Sequence, residues 1–530
     1  MNHILIAPVI LPAVIGALII LWMRTDLLLQ RVFSIAGTAS LLAVALYLCW
    51  LASSGEVLVY RLGNWAAPFG IVLMLDRLSA LMVALTAVLA LVVQLYAFGS
   101  GWDRKGWHFH ALWQFQLMGV CGAFLTGDAF NLFVFFEILL IASYGLMIHG
   151  GGPMRLRAGV QYIAYNLAGS TLFLAALGVL YAVTGTLNMA DMAARVAVMP
   201  AEDTALLRTG AVLLMLVFAV KASLVPLHFW LPSTYANAPG PVAALFAIMT
   251  KVGVYGIIRF YTLVFPQDTV IESVVMDLLL PAALFTLAIG QIGILGTRNL
   301  GRLAAFAAVG SVGTLMIAVS QFTPQATAAA VYYMIHSTLA VAALFLIIDM
   351  IGARRGDLWL RLDAVMPGNG LIAAMFFATA IAVVGMPPFS GFIGKLLVLD
   401  ATRGTPEVVW IWGAVLISSL VAIYGMTRAG SLVFWKSYEL EGKPAAILPH
   451  APTRPGRIPT KLEPDEHIQD LGDAASPALA AVSVGALLAG IVALTIFSGP
   501  VMRFADQTAA QLHDPARYLG AVLENQEGTK

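Results

Sequence analysis

Residues 221–259 read KASLVPLHFWLPSTYANAPGPVAALFAIMTKVGVYGIIR. The segment is apolar enough to lie in a bilayer, yet Lys221, His228 and Lys251 sit within its apolar runs and Pro226 falls inside a span. Pro226 offers no N–H to the carbonyl of Ala222, and its ring crowds that turn. A lysine at the centre of a bilayer costs roughly 2.5–3.5 kcal/mol on insertion scales unless it is paired, neutral or wet. Freed carbonyls at membrane depth are tolerated only where protein or water meets them. Interrupted helices bearing ionisable residues near the midplane are a transporter feature.

The rest of the chain is of the same kind. Of 530 residues 60% are hydrophobic and only 11% charged, against about 25% in an ordinary soluble domain. Mean hydropathy is +0.89. A soluble enzyme and a disordered chain are both excluded. Lys+Arg 29 against Asp+Glu 28 leaves net charge +1, which marks no nucleic-acid partner. Cys49 and Cys121 lie in apolar runs and cannot supply a CxxC site, an iron–sulfur cluster or a disulfide framework. There is no Walker lysine loop, no GxGxxG after a strand and no HExxH. No bound cofactor and no metal are expected.

A bilayer-crossing helix needs about 20 mostly apolar residues. About fourteen such segments are expected, near 4–23, 31–52, 75–98, 110–126, 129–149, 159–184, 207–236, 241–262, 275–296, 302–320, 325–350, 370–400, 408–435 and 476–497. The fold class is therefore an all-α polytopic membrane protein. The first span has no basic region before it, so a retained helix is expected rather than a cleaved signal peptide. With the N-terminus outside, the inward connections carry about twice as many Lys and Arg as the outward ones, among them Arg104, Lys105, Arg155, Arg157, Arg354 and Arg355. Both termini are thus expected outside. The only long polar connection, near 436–475, reads as a cytoplasmic loop.

Two regions look alike at nearly one offset. Ser170-Thr171-Leu172 matches Ser337-Thr338-Leu339, and Pro226 in KASLVPLHFWLP matches Pro388 in VGMPPFSGFIGK. The pairs suggest a duplicated five-helix unit, and an odd number of helices inverts the second copy in the membrane. The expected division is 1–100 for N-terminal helices, 101–262 and 263–436 for the inverted repeats, 437–475 for the loop, and 476–530 for a last helix and tail. Each repeat holds a broken helix. A simple kink is the plainer outcome at Pro226. Gly385, Gly391 and Gly394 around Pro387 and Pro388 point to a full interruption there.

Glu137, Lys221, Lys251, His336 and Lys395 lie deep in apolar runs, with His228 just past the first break. Acids are too few to pair every base. Burial disfavours the charged form of each, so such groups exchange protons more readily than they hold a fixed charge. A row of them with water between would be a proton relay; structural ion pairs and snorkelling are the alternatives. Asp76 is a further possible member, although Arg77 beside it at a helix start favours a structural pair. Asp349 and Asp400 are expected to reach the interface, and His108, His110 and His149 read as interfacial.

With those residues in view, the chain resembles the antiporter-like subunits shared by respiratory complex I and the Mrp-type (Pha, Sha) multisubunit cation/proton antiporters. The likeness runs from about Leu75 to Trp435 and rests on Glu137 in its span and on 221–259. GDAFNLFVFFEILLIASYGL at 127–146 is closer to the D-type subunits of the Mrp antiporters than to complex I subunits. The chain is expected to lack the long lateral helix of the complex I end subunit and the extra spans of the A-type antiporter subunits. It departs from many relatives at NLGRLAAFAAVGSVGTL, residues 299–315, which lacks their basic, polar start.

The resemblance implies roles. Glu137 and Lys221 would form a separable pair, Lys251 the central relay lysine, His336 a bridge between half-channels, and Lys395 a gate on the second broken helix. It also implies a secondary transporter rather than an enzyme, moving protons against Na+ or K+. The partners would be other antiporter subunits, roughly six or seven different chains, in a bacterial plasma membrane. The alternative is a proton-pumping subunit of complex I or of a membrane-bound hydrogenase. The sequence does not choose between Na+ and K+.

Overall fold

The computed structural model describes residues 3–200, 204–265, 270–440 and 476–523. The cytoplasmic-loop expectation for 436–475 lies almost wholly outside the described residues. In chain order the helices are α1 (Ala7–Trp22), α2 (Leu27–Ala52), α3 (Arg77–Ser100), α4 (Phe109–Leu125), α5 (Ala129–Ile148), α6 (Pro153–Thr184), α7 (Met189–Ala197), α8 (Ala205–Ala222), α9 (Trp230–Asn237), α10 (Gly240–Leu245) and α11 (Met249–Leu263). They continue as α12 (Val270–Gly296), α13 (Leu300–Val319), α14 (Pro324–Arg355), α15 (Asn369–Val384), α16 (Ser390–Ala401), α17 (Val408–Gly430), α18 (Pro477–Ile496), α19 (Ser498–Leu512) and α20 (Pro515–Leu523). An antiparallel hairpin, β1 (Leu58–Arg61) with β2 (Val72–Leu75), precedes α3.

Among the described residues twelve helices are long and apolar enough to cross a membrane. The two remaining expected spans are shorter for identifiable reasons. Segment 110–126 is α4, of 17 residues. Segment 370–400 is cut after Val384 into α15 and α16. The expected 207–236 span is likewise cut after Ala222, so Pro226 ends a helix rather than kinking one.

Burial separates a core from a rim. The span covering α10 and α11 is wholly buried and α13 and α14 nearly so, whereas α17 is mostly outward-facing. The 32-residue α14 is the central post, packed on α10, α13, α15, α16, α18 and α19. Gly253 lets α11 meet α8 backbone to backbone. A Cβ there would stand 2.6 Å from Ala222 N and 2.8 Å from Phe218 O. Small residues at such crossings replace the hydrophobic drive that lipid cannot supply.

The two ends of the bundle differ. At one end the hairpin, the start of α3 and α19–α20 close over the helices; Gln511 of α19 bonds Arg77 N (3.0 Å) and Gly55 O (3.1 Å). At the other, a cavity of about 690 Å³ opens among the ends of α3, α9 and α14 and the starts of α6 and α18. His110, in the first turn of α4, is 1 % exposed and lies against Asp103 (3.2 Å), which also takes Arg31 (2.6 Å).

Candidate functional site

The first break sets Lys221 in place. α8 ends at Ala222, and Ser223 turns left-handed with φ 62°. Helix ends leave carbonyls without partners, and Trp230 Nε1 donates to the Val220 carbonyl at 3.0 Å. Val225 N donates to Thr286 Oγ1 at 2.9 Å. Lys221, in the last turn of α8, is 6 % exposed. Its Nζ donates to Asn166 Oδ1 of α6 at 3.1 Å and lies 5.6 Å from the Phe136 ring centre on α5. Glu137, next along α5, interacts electrostatically with Lys221 without a contact ion pair, and its Oε1 is buried without a partner.

The second break sets Lys395. α15 stops at Val384, Gly385 turns with φ +83°, and α16 begins at Ser390. Pro388 strips the Val384 carbonyl of its helical donor. Lys395 Nζ fills that place, donating to Val384 O at 2.7 Å and to Ser419 Oγ of α17 at 2.8 Å. Gly391 is required here, because a Cβ would collide with the Ala382 carbonyl and stand 2.7 Å from His336 Nε2.

His336 stands between. It is 1 % exposed on α14, with Nδ1 2.9 Å from Ser390 Oγ, and lies within electrostatic range of both Lys251 and Lys395. Lys251, also 1 % exposed, sits in the first turn of α11, beside the Gly253 contact with the Lys221 turn. Among the described residues none of Lys221, Lys251 and Lys395 makes a contact ion pair. The structure therefore places Glu137 within electrostatic range of Lys221, and His336 within range of Lys251 on one side and Lys395 on the other. His228 is buried in the first break beside Phe229, with ring centres 4.5 Å apart, and its Nδ1 has no partner. Among the described residues no hydrogen bond ties it to the row.

Asp76 belongs elsewhere. It caps α3 by accepting from Ser79 N (2.8 Å), and its ion-pair partner is Arg259 (2.5 and 2.9 Å), not the adjacent Arg77. Arg77 points away, to Ser53 O and Gln507 O. Burial pushes the Asp76 carboxyl up, but Arg259 and the Ser79 bonds outweigh it and hold it below the usual carboxylate range. Asp400 is exposed and paired with Arg403 (3.0 Å). Asp349 is not simply interfacial. It accepts from Tyr96 Oη (2.8 Å) and Trp102 Nε1 (2.9 Å) in the wall of the 690 Å³ cavity, with Lys105, Arg155 and Arg354 around it. No local signal marks it, since both donors come from a distant part of the chain. Among the described residues no group of three or more His, Cys, Asp or Glu could hold a metal.

The chain is thus a polytopic helical membrane protein with two broken helices and a buried lysine at each break. Its residues 126–423 match the family described as NADH:quinone oxidoreductase/Mrp antiporter, TM, and the chain belongs to that family. It is 37% identical to the D subunit of a probable K(+)/H(+) antiporter of Rhizobium meliloti (strain 1021), over 99% of this chain and 98% of that one. It is 38% identical to the D subunit of the Na(+)/H(+) antiporter of Bacillus subtilis (strain 168), over 84% and 89% of the two chains. Among solved structures, a chain of the Mrp complex from Dietzia sp. DQ12-45-1b aligns with TM-score 0.84 at 28% identity, over 99% of this chain and 100% of that one. A chain of respiratory complex I from Thermus thermophilus aligns with TM-score 0.74 at 25% identity, over 96% and 99%.

Proposed function

We propose that this chain is the proton-carrying D-type subunit of a bacterial multisubunit antiporter, exporting Na+ or K+ against protons. It is a secondary transporter component, not an enzyme. The observation that carries the reading is the row of buried bases at and between two helix breaks, with no contact acid among the described residues. Fixed structural charges would be paired, because an unpaired buried charge is costly. Groups that shed and regain protons can stand as these do.

In this reading Glu137 and Lys221 form the pair whose separation changes proton affinity, Lys251 is the central carrier, His336 passes protons between halves, and Lys395 gates the second half. The two halves, 101–262 and 263–436, act as inverted five-helix repeats within about fourteen spans, flanked by 1–100 and 476–530. The Asp76 end faces outward and the Lys105 cavity inward, in accord with the excess of Lys and Arg at the latter. The partners are the remaining antiporter chains, six or seven kinds in all, in the plasma membrane. Full-length likeness to the Mrp complex chain exceeds that to complex I, which favours antiport over redox-driven pumping.

The test is whole-operon expression in an antiporter-deficient host, with dye-monitored proton exchange in everted vesicles and Na+ and K+ offered separately. Cation-dependent exchange that Lys251→Ala removes supports the reading. Exchange retained by an assembled Lys251→Ala complex overturns it.

A further inference from the structure

One buried ion pair stands outside the row, about two turns of α11 beyond Lys251. α11 places Lys251, Tyr255 and Arg259 four residues apart, hence on one face, each step rising about 6 Å. Arg259 donates to Tyr255 Oη at 3.1 Å (Nη2) and 3.3 Å (Nε), and Tyr255 Oη donates to the Phe124 carbonyl at 2.7 Å. Arg259 then forks onto Asp76 with two bonds. A bonded chain therefore runs from Tyr255 through Arg259 to Asp76, and Lys251 stands one turn before Tyr255 on the same face of a helix that is buried throughout.

Just beyond the pair lies a cavity of about 10 Å³ lined by Asp76, Arg259, Thr262, Gln511 and Tyr518. That is space for about one water. Tyr518 of α20 covers it, with its ring 5.6 Å from the Arg259 guanidinium and its Oη buried without a partner. A buried ion pair is a poor device for stability alone, since apolar residues of like volume often serve as well or better. A charged plug that excludes water from a proton strip has a use that apolar packing lacks, because it can part and close.

We propose that the Asp76–Arg259 pair is the gate at the outer end of the Lys251 path. Closed, it keeps water off Tyr255 and Lys251. Parted, it lets water in from beneath α19–α20. Arg259 stays protonated throughout, so the pair positions and bars rather than carries. The proposal rests on the proton-carrying reading above.

The experiment uses the complete antiporter in vesicles and measures passive decay of an imposed pH gradient without Na+ or K+. Asp76→Asn keeps the α3 cap and removes the charge. It should raise passive decay several-fold in an assembled complex, and adding Lys251→Ala should return decay to the wild-type rate. Wild-type decay in assembled Asp76→Asn, or a leak that persists with Lys251→Ala, overturns the gate. If Asp76→Asn does not assemble, Tyr255→Phe decides: cation-driven exchange should slow several-fold while passive decay stays at the wild-type rate, and unchanged exchange overturns the proposal. Failure of the underlying reading is separate, since only that failure leaves Lys251→Ala alone competent in exchange.

Discussion

Lys395 Nζ lies 2.7 Å from the Val384 carbonyl oxygen, the same oxygen that Pro388 deprives of a helical donor. The Val384 carbonyl freed by the break and the buried lysine meet across eleven residues of sequence, and Ser419 completes the cradle at 2.8 Å. A lysine held by uncharged oxygens can lose its proton without leaving an opposite charge stranded. The same holds for Lys221 on Asn166.

Lys395→Met removes the donor to Val384 and leaves a buried carbonyl bare, a cost of roughly 1–3 kcal/mol. The complex should still assemble, with a lower thermal midpoint in detergent, and exchange should fall at least about tenfold, or about 1.4 kcal/mol of barrier. Exchange at the wild-type rate in everted vesicles would show that Lys395 only staples the break.

Glu137→Gln and Lys221→Ala should each abolish cation-dependent exchange while subunit levels stay normal. Glu137 keeps one buried oxygen without a partner, so Gln loses little packing and only the charge. Dye-monitored exchange near the wild-type rate in either variant counts against the pair.

Asn166→Leu leaves Lys221 without its hydrogen-bond acceptor. A single bond of this kind is worth about 0.5–1.5 kcal/mol net, so exchange should drop a few-fold, far less than in Lys221→Ala. Equal losses in the two variants would mean that Asn166 itself lies on the path.

His228→Ala should be milder than either Lys221→Ala or Lys251→Ala, since no hydrogen bond joins His228 to the row. Complementation of a salt-sensitive host reports this, and a total loss of growth would move His228 into the relay.

Gly253→Val should cost the assembled complex. Its Cβ would meet the Ala222 N and Phe218 O backbone atoms, which cannot swing aside as a side chain can. Overpacking typically costs about 1–3 kcal/mol, and backbone collisions lie at the upper end. A native-gel band of normal size and intensity for this variant would contradict the close α8–α11 crossing.

Membrane residence, the helical class and the relay candidates are legible in the residues, because lipid enforces long apolar helices and makes every buried charge conspicuous. Asp76 shows where that legibility ends. Its neighbour Arg77 is the nearer charge in sequence, but a helix cap aims the Asp76 side chain at its own first turn and, beyond it, at α11. Arg259 lies inside the diagnostic motif, where its place in the sequence marks it only as an outward-end charge. Asp349 carries no local signal, because the Tyr96 and Trp102 donors come from far away in the chain.

By itself the sequence determined what must be inside: which long segments are apolar helices, that Pro387 and Pro388 interrupt one of them, and which side chains are too costly to bury without a purpose. Tertiary structure alone decided who meets whom. His336 finds Ser390, Lys395 finds Ser419, Lys221 finds Asn166, and Arg259 finds Asp76, because helix packing joins residues far apart in sequence. Local apolar pattern carries no information on which of many similar faces will touch. Glycines such as Gly253 and Gly391 permit the close approaches seen here, which a Cβ would block.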